Sequence, residues 1–503
     1  MKNKRNLLSA ILLLMLLAFC LRTHHLSTDL LFHRDQGLHS LSIWNIWHEG
    51  KLSLLDPLSD VDGLTHAPIY FWLMIPAYAL SGGDPAVASL FQITLEVLSL
   101  PFLYLAIKKL FNQKTALLTL LIYSVSYGGI GLSRWLVNVT PILPLTNLLL
   151  FLLTRQEGSE LSAVRKEQSD CRIVPNLWLV FTTSLTVGII TQMDAAIGVF
   201  LLPFIFWFFR SKFSLKTFTL ILTGFLLPAL PLIAFELRHN FVITQAVLNF
   251  SGKSGHGLGL NPSVFIANLG ILFTEINKII SYPYIYISSI LFVFGLYKVK
   301  QLKNHNFIYA FLLIPFICLS FFQRGAIGFF LISLLPLSLA ISIYGLQSLS
   351  GLTYPLLILI LCLNLSQLPN VYKPNNALIP IGNANIITLQ DRKNIIDFMY
   401  HQANGEQFSV WFYTIPYFQE EVWDYMLYYY AEPKYGYLPE QTTGFSPNDL
   451  KTSQYFFAVY EPDEDRPINL ESWQKETVKN FGPSIKTFST HDLYINLHSS
   501  LNR

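Results

Sequence analysis

The chain has little charge: 13% of its 503 residues are Asp, Glu, Lys or Arg, whereas 52% are hydrophobic. Soluble globular proteins average about 25% charged residues, so this shortage argues against an ordinary soluble protein and predicts many membrane spans. The net charge is only +3, with no basic block and no aromatic RNA-binding motif. Nothing in this composition indicates a nucleic-acid partner.

Cysteine is also scarce, with four residues in the whole chain. Cys20, Cys318 and Cys362 lie in apolar runs, and Cys171 lies in a charged loop. Their spacing matches neither a zinc site nor a disulfide framework.

The N-terminus resembles a signal peptide, because Lys2, Lys4 and Arg5 precede the apolar run Leu7–Leu21. A lipoprotein-like cleavage site would need a small residue where Phe19 stands. We therefore favour an uncleaved first helix, with cleavage as the alternative.

Eleven apolar runs are predicted to cross the membrane, although several are shorter than the roughly 20 residues of an upright span. They are Leu7–Leu21, Ala86–Ile107, Thr115–Leu132, Trp135–Leu153, Leu177–Thr191, Ala195–Phe209, Phe218–Phe235, Pro283–Tyr297, Phe307–Phe322, Ile327–Tyr344 and Leu352–Ser366. Two further stretches, Ala67–Leu80 and Val264–Ile280, are interpreted as helices lying at the interface, the first because it is short and the second because it contains four polar residues.

The positive charges test this topology. Eleven crossings bring five basic clusters to one side: Lys2/Lys4/Arg5, Lys108/Lys109/Lys114, Arg155/Arg165/Lys166/Arg172, Arg210/Lys212/Lys216 and Lys298/Lys300/Lys303. Since an excess of Lys and Arg marks the cytoplasmic side, the N-terminus is predicted to be cytoplasmic in a multi-pass protein of the cytoplasmic (plasma) membrane.

Residues 1–366 are thus predicted to be an α-helical membrane domain with two large outer loops, 22–85 and 236–282. Residues 367–503 have ordinary polarity, and helical and strand patterns alternate along them. They predict a small extracytoplasmic α/β domain, with strands near Phe408–Tyr413, Tyr455–Tyr460 and Tyr494–Leu497 and helices near Asp391–Gln402, Gln419–Ala431 and Leu470–Asn480. The sequence indicates neither the role of this domain nor an oligomeric state.

The first outer loop is unusually rich in titratable residues. Up to residue 66 it contains six acids and six of the chain's twelve histidines: Asp29, Asp35, Glu49, Asp56, Asp60, Asp62, His24, His25, His33, His39, His48 and His66. Such crowding beside a membrane is typical of a functional site, although a solvated loop is the simpler alternative.

Three groups of residues carry a family resemblance. Phe32-His33-Arg34-Asp35-Gln36-Gly37, followed by His66-Ala67-Pro68-Ile69-Tyr70-Phe71-Trp72-Leu73, resembles the first outer loop of GT-C glycosyltransferases, where an Asp follows the first helix and a Lys-Pro-Pro–aromatic–Trp element precedes the second. Ser133-Arg134 is similar to the family's Ser-Arg, and Phe235 to Asn240 resembles a motif of a bacterial branch. The chain thus resembles glycosyltransferase family 39, relatives of protein O-mannosyltransferases and the lipid A aminoarabinose transferase.

The resemblance implies a GT-C fold and a polyprenyl-phosphate sugar as donor, with a hydroxyl of a protein, lipid or glycan as acceptor. It implies that Asp35 is the general base of an inverting single displacement, since a carboxylate can take the proton of a hydroxyl at short range. The alternative is Asp35 as a helix cap or as a partner of Arg34.

The developing charge on the lipid phosphate calls for cationic or N–H donors. Arg134 is the first candidate, with a snorkelling interface anchor as its alternative. His66, Arg238, His239 and Arg324 follow. His66 stands where the family usually has Lys, so a charge-based role would predict that activity falls as pH rises past about 7.

Asp194, Tyr70 and Trp72 are candidates for the acceptor or sugar pocket, Asp194 alternatively being a simple turn residue. Glu96 lies within a predicted span and is expected to face the bundle interior. No HExxH or similar spacing occurs, so a required metal is not indicated.

A transporter or flippase is the main rival function. The chain lacks the internal repeats and paired broken segments typical of transporters. A glycan polymerase or ligase and a non-catalytic membrane scaffold are further alternatives.

Overall fold

A computed structural model describes residues 2–50, 53–55, 65–164, 176–252, 259, 261–321, 325–372, 385–417, 419–444, 446–447 and 453–499. Arg324 lies outside these ranges, as do Asp56, Asp60 and Asp62. The described helices are α1 (Lys2–Thr23), α2 (Leu26–Asp29), α3 (Arg34–Glu49), α4 (Ile69–Ser81), α5 (Pro85–Leu110), α6 (Gln113–Val125), α7 (Tyr127–Arg134), α8 (Ile142–Val164), α9 (Leu177–Met193), α10 (Ala195–Phe209), α11 (Leu215–Leu226), α12 (Leu230–Arg238), α13 (Val242–Gly252), α14 (Pro262–Ile280), α15 (Ile285–Val299), α16 (His305–Ser320), α17 (Leu335–Gln347), α18 (Thr353–Ser366), α19 (Leu368–Tyr372), α20 (Leu389–Ala403), α21 (Glu421–Met426), α22 (Glu432–Tyr435) and α23 (Pro467–Phe481).

By length and composition, six described helical segments are long and apolar enough to cross a membrane: Arg5–Thr23, Pro85–Leu110, Leu215–Arg238, Pro262–Ile280, Gly328–Gln347 and Ser350–Tyr372. A seventh is the pair α6 and α7, which bends by 60°. Shorter apolar helices, among them α8, α9, α10, α15 and α16, account for the remaining predicted runs. The chain is a mostly helical membrane protein, as predicted.

The bend between α6 and α7 occurs at Ser126, whose backbone is extended. Its hydroxyl accepts the amide proton of Gly129 (3.1 Å) and donates to the carbonyl of Ile279 (2.8 Å). Gly128 lies so close to the backbone of Lys278 that a Cβ there would stand 2.8 Å from it. The predicted span Thr115–Leu132 is therefore a broken helix with α14 packed into the break.

One end of the bundle is defined by contacts among helix termini near the basic residues, and we call it the basic end. Lys109 at the end of α5 donates to the carbonyl of Thr154 in α8. Asn304, just before α16, donates to the Lys109 carbonyl (3.4 Å). Thr115 in α6 donates to Gln347 at the end of α17 (2.6 Å).

The opposite end, called the Arg22 end, is joined in the same way. Asn364 near the end of α18 accepts from the Tyr127 amide (2.8 Å) and donates to the Ile280 carbonyl (2.7 Å). Asn138, just before α8, donates to the carbonyl of Met193 at the end of α9 (2.6 Å). The contacts alternate between the two ends along the chain, which is the arrangement that eleven crossings require.

Helix α14 is long enough to cross a membrane, yet both of its halves contact the Arg22 end. Near its start, Asn268 donates to Ser320 at the end of α16 (3.3 Å) and accepts from the Ala326 amide (2.8 Å). Its last residue, Ile280, is bonded to Asn364. The helix therefore runs across this end of the bundle, as expected of an interfacial helix.

The C-terminal part contains a five-stranded sheet of order β2-β1-β3-β5-β4. The strands are β1 (Phe408–Tyr413), β2 (Glu440–Thr442), β3 (Tyr455–Tyr460), β4 (Ser484–Thr490) and β5 (Leu493–Ser499). Strand β1 is parallel to β2 and β3, whereas β5 is antiparallel to β3 and β4. The small α/β domain is present, with two strands, β2 and β4, that the sequence analysis missed.

Helices α15 and α17 are in close contact where Gly295 meets the backbone of Ile341. A Cβ at Gly295 would overlap the Ile341 carbonyl oxygen, whereas a Cβ at the exposed Gly270 of α14 would meet nothing within 4 Å. The two glycines are thus a matched pair, one in a helix contact and one in open space.

We predict that Gly295→Ala destabilises the protein by about 1–3 kcal/mol, because the helices must separate to admit the methyl group. Gly270→Ala should instead stabilise it by about 0.5–1 kcal/mol, since alanine favours the helix. Thermal unfolding of the two purified variants in detergent measures both effects. Equal shifts in the two variants would contradict the packing explanation.

Candidate active site

Helix α3 begins at the motif that contains Asp35. The backbone amide of His33 donates to the side chain of Gln36 (2.9 Å), which fixes the first turn. Asp35 is half-buried in this turn, and His39 lies one turn further along the same helix. Since residues four apart share a helix face, Asp35 and His39 are neighbours on α3.

His39 lies in an aromatic and cationic environment. Its ring meets those of Tyr70 (5.3 Å) and Phe71 (5.7 Å) edge-to-face. Burial lowers the pKa of His39 to about 4, and the nearby Arg34 and His66 lower it further. At neutral pH the ring is therefore uncharged, and its Nδ1 atom is buried with no partner in the described part of the chain.

His66 lies against the turn between α9 and α10. Its Nε2 atom accepts a proton from the amide of Ala195 (3.4 Å), and the next amide, that of Ala67, donates to Gln192 (3.1 Å). Burial lowers the pKa of His66 to about 4. The imidazole is thus neutral at pH 7, and a loss of its positive charge would occur near pH 4 instead of near the pH of about 7 expected for an ordinary histidine.

Asp194 forms the turn next to His66. Its backbone amide donates to the Ile190 carbonyl (2.9 Å), ending α9, and α10 begins at the following residue. Burial raises the pKa of Asp194 to about 7, against the opposing effect of the Ala196 and Ile197 amides. The turn that the sequence suggested is present, and it brings a carboxyl group of near-neutral pKa beside His66.

Two aromatic candidates lie at the start of α4. Tyr70 is buried against His39, with 1% of its surface exposed. Trp72 is half-buried, and its Nε1–H is buried without an acceptor among the described residues. A buried donor without an acceptor is costly, so this group is a candidate for binding a ligand oxygen.

Arg134 ends α7 at the Arg22 end. Its Nη1 donates to the carbonyls of His24 (2.6 Å) and Arg22 (3.2 Å), and the guanidinium lies over the ring of Tyr372 (5.3 Å). The residue is only 6% exposed, unlike a snorkelling anchor. Its Nη2 is buried with no partner within the described ranges, so one face of the guanidinium can still donate hydrogen bonds.

A buried ionic network, which the sequence analysis missed, holds this region together. Arg22, with no exposed surface, pairs with Glu96 (3.3 Å) and donates to Ser133 (2.9 Å) and to the carbonyls of Tyr123 and Ser124 (both 3.1 Å). Tyr123 also donates to Glu96 (2.7 Å). Glu96 faces the interior, as expected, and its partner is the arginine next to Arg134 in space.

Arg238 and His239 are exposed at the end of α12. The His239 ring stacks on Phe235 (3.9 Å) and its Nδ1 is bonded to the Phe235 carbonyl (2.8 Å). The same motif contains Glu236, whose carboxylate accepts from the amides of Ile243 (2.8 Å) and Thr244 (2.9 Å) at the start of α13. In the described part of the chain, neither Arg238 nor His239 forms a hydrogen bond or ion pair with the Asp35 region.

The described residues include no group of three or more His, Cys, Asp or Glu side chains arranged to hold a metal ion. Three of the first-loop acids lie outside the described ranges. The site as described consists of Asp35, His39, His66 and Asp194, together with Arg134 at the same end of the bundle.

The comparisons agree with this architecture. Residues 65–235 match the family model of dolichyl-phosphate-mannose-protein mannosyltransferases. The fold matches crystal structures of ArnT from Cupriavidus metallidurans, bound to undecaprenyl phosphate (TM-score 0.58, 11% identity, 97% of each chain covered) and in the apo state (TM-score 0.56, 11% identity, 99% of this chain and 98% of that chain covered). A search of curated proteins found no significant match.

The fold is therefore the GT-C fold of membrane glycosyltransferases. The predicted resemblance to this class is confirmed, by the family model over residues 65–235 and by the fold over nearly the whole chain.

The raised pKa of Asp194 predicts a pH-dependent stability. Between about pH 4 and pH 7 the unfolded chain has released this proton while the folded protein retains it, so stability falls as pH rises through this window. Asp194→Asn cannot ionise, and its melting temperature relative to the wild type should rise from pH 4 to pH 7 and then level off. A constant difference across this range, measured by thermal unfolding in detergent, would contradict the burial of this carboxyl group.

Proposed function

We propose that the protein transfers a sugar from a polyprenyl-phosphate donor to a hydroxyl acceptor at the outer face of the cytoplasmic membrane. The observation that carries this proposal is the half-buried Asp35 carboxylate in the first turn of α3, at the end of the bundle where Arg134 has a free donor group. The family match and the GT-C fold support it. In ArnT, the similar fold binds undecaprenyl phosphate, which supports a polyprenyl-phosphate donor here.

In the proposed reaction, Asp35 takes the proton of the acceptor hydroxyl as its oxygen attacks the anomeric carbon. The bond between that carbon and the phosphate oxygen breaks, and the polyprenyl phosphate leaves with the bonding electrons. Attack opposite the leaving group inverts the anomeric centre. Asp35 regains its charge by releasing the proton to water.

The leaving phosphate needs hydrogen-bond donors as its charge develops. Arg134 supplies a permanent charge through its free Nη2. His66 supplies a neutral donor: because Nε2 accepts from Ala195, the single proton of the uncharged ring is on Nδ1. A histidine in this state can replace the hydrogen bond of the family's lysine but not its charge.

The pocket for the transferred sugar or the acceptor is proposed to include Tyr70, Trp72 and Asp194. Trp72 offers an unpaired N–H, and Tyr70 an aromatic face beside His39. Asp194, with a pKa near 7, can accept or donate a hydrogen bond to a hydroxyl.

We expect Asp35→Asn to lower the rate of sugar transfer by about 100-fold to 10,000-fold, because an amide cannot accept the hydroxyl proton. Transfer from a radiolabelled polyprenyl-phosphate sugar in reconstituted vesicles measures it. Glu49→Gln is the matched control: it removes an exposed acid from the other end of the same helix, about 21 Å along its axis. Wild-type transfer by a folded Asp35→Asn variant would refute the role of Asp35.

The proposed sidedness has its own test. The positive residues gather at the basic end of the bundle, so this end should face the cytoplasm and the Arg22 end the outside. In right-side-out cells, a cysteine introduced at Glu49 should react with a membrane-impermeant maleimide, and one introduced at Lys300 only after permeabilisation. The reverse labelling would contradict the proposal.

A further inference from the structure

The loop that leads into α3 is bound to the C-terminal sheet domain by backbone hydrogen bonds. Leu31 and Thr388 form an antiparallel bridge. The Phe32 amide donates to the Ile387 carbonyl (3.1 Å), and the Leu389 amide donates to the Leu30 carbonyl (2.8 Å). The chain just before the Asp35 helix is therefore fixed to the chain just before α20.

Arg392 in α20 adds a side-chain contact at the same point. Its Nε donates to the Phe32 carbonyl (2.8 Å), and its Nη2 pairs with Glu461 at the end of β3 (3.4 Å). The guanidinium lies over the ring of Trp423 in α21 (4.9 Å). Arg392 and Glu461 are 1% and 4% exposed, so this is a fully buried ion pair.

A buried ion pair of this kind is a poor source of stability, because the cost of desolvating the charges offsets most of their attraction. Its directional hydrogen bonds do fix geometry. Here the fixed group is the carbonyl of Phe32, three residues before Asp35, and the elements connected to it are α20, β3 and α21.

A second contact fixes the other side of Asp35. Gly37, two residues after it, faces Val422 of α21, and a Cβ on Gly37 would stand only 2.5 Å from the Val422 Cα. Helices α3 and α21 thus touch backbone to side chain. Arg34 extends the same contact, since its Nε donates to Gln419, just before α21 (2.9 Å).

We infer that Arg392, held by Glu461, is a positioning residue for the Asp35 carboxylate, and that the C-terminal sheet domain serves to hold α3 in its orientation at the membrane end of the site. This rests on the proposed role of Asp35. The domain acts from both sides: it holds Phe32 through Arg392 and Gly37 through α21. Residues 32–37 therefore move with the C-terminal domain as one unit.

The test compares Arg392→Met, Arg392→Lys and Gly37→Ala with two controls. Lys479→Met removes an exposed ion pair of the same domain, and Gly270→Ala adds a methyl group in open space. We expect Arg392→Met and Gly37→Ala to lower kcat by about 10-fold to 100-fold, as a misplaced catalytic group does, while KM for the donor stays within about 2-fold. Arg392→Lys should recover part of the loss, because lysine can still donate to Phe32.

Hydrogen exchange of the Phe32 and Leu389 amides provides a readout that does not need turnover. Both should exchange faster in Arg392→Met than in the wild type, with no change in Lys479→Met. A raised KM with unchanged kcat, or unchanged exchange and kcat in Arg392→Met, would overturn the inference. If Arg392→Met does not fold, the same measurements on Arg392→Lys and Gly37→Ala decide. Should Asp35→Asn remain active, the proposed function fails, whereas the exchange result still judges the contact itself.

Discussion

Burial of the Arg22 guanidinium inside the helical bundle constrains everything at this end of the molecule. A charge in the hydrocarbon region must have a counter-charge and a partner for each donor. Glu96 and Ser133 meet this need, together with carbonyls freed where α6 ends at the bend. The first, second and third spans are thereby held together, and Arg134 follows directly from Ser133. The position of the proposed phosphate-binding arginine is thus a consequence of the Arg22 network.

The site combines parts that are held by different means. Arg134, His66 and Asp194 are fixed by helix ends of the membrane domain. Asp35 lies on a short helix that the C-terminal sheet domain grips on both sides. The proposed base and the proposed phosphate donors therefore belong to two rigid bodies, and their separation depends on how these bodies meet. This accounts for a soluble domain attached to a membrane enzyme whose chemistry needs only the outer loops.

The sequence predicts local features well. Apolar length and the placement of Lys and Arg are local properties, so the eleven runs all fall on helices, and the strands with strong β-branched and aromatic patterns fall at β1, β3 and β5. Strand β2 is only three residues long, and β4 is largely exposed, so neither has an alternating apolar pattern. The Arg22–Glu96–Ser133 network joins residues far apart in the chain, and no spacing signals it. Likewise, the low pKa of His66 follows from burial, which a motif does not encode.

The neutral state of His66 has a chemical consequence for the proposed reaction. Where the family usually has lysine, a neutral ring contributes one hydrogen bond and no net charge. His39 is neutral for the same reason, so Arg134 and Arg34 are the permanent cations of the described site. Arg34 is bonded to Gln419 beside Asp35, whereas Arg134 has its donor free. Charge stabilisation of the departing phosphate therefore depends more heavily on a single arginine, and the Arg22 network that holds this arginine takes on the importance that the absent lysine would otherwise share.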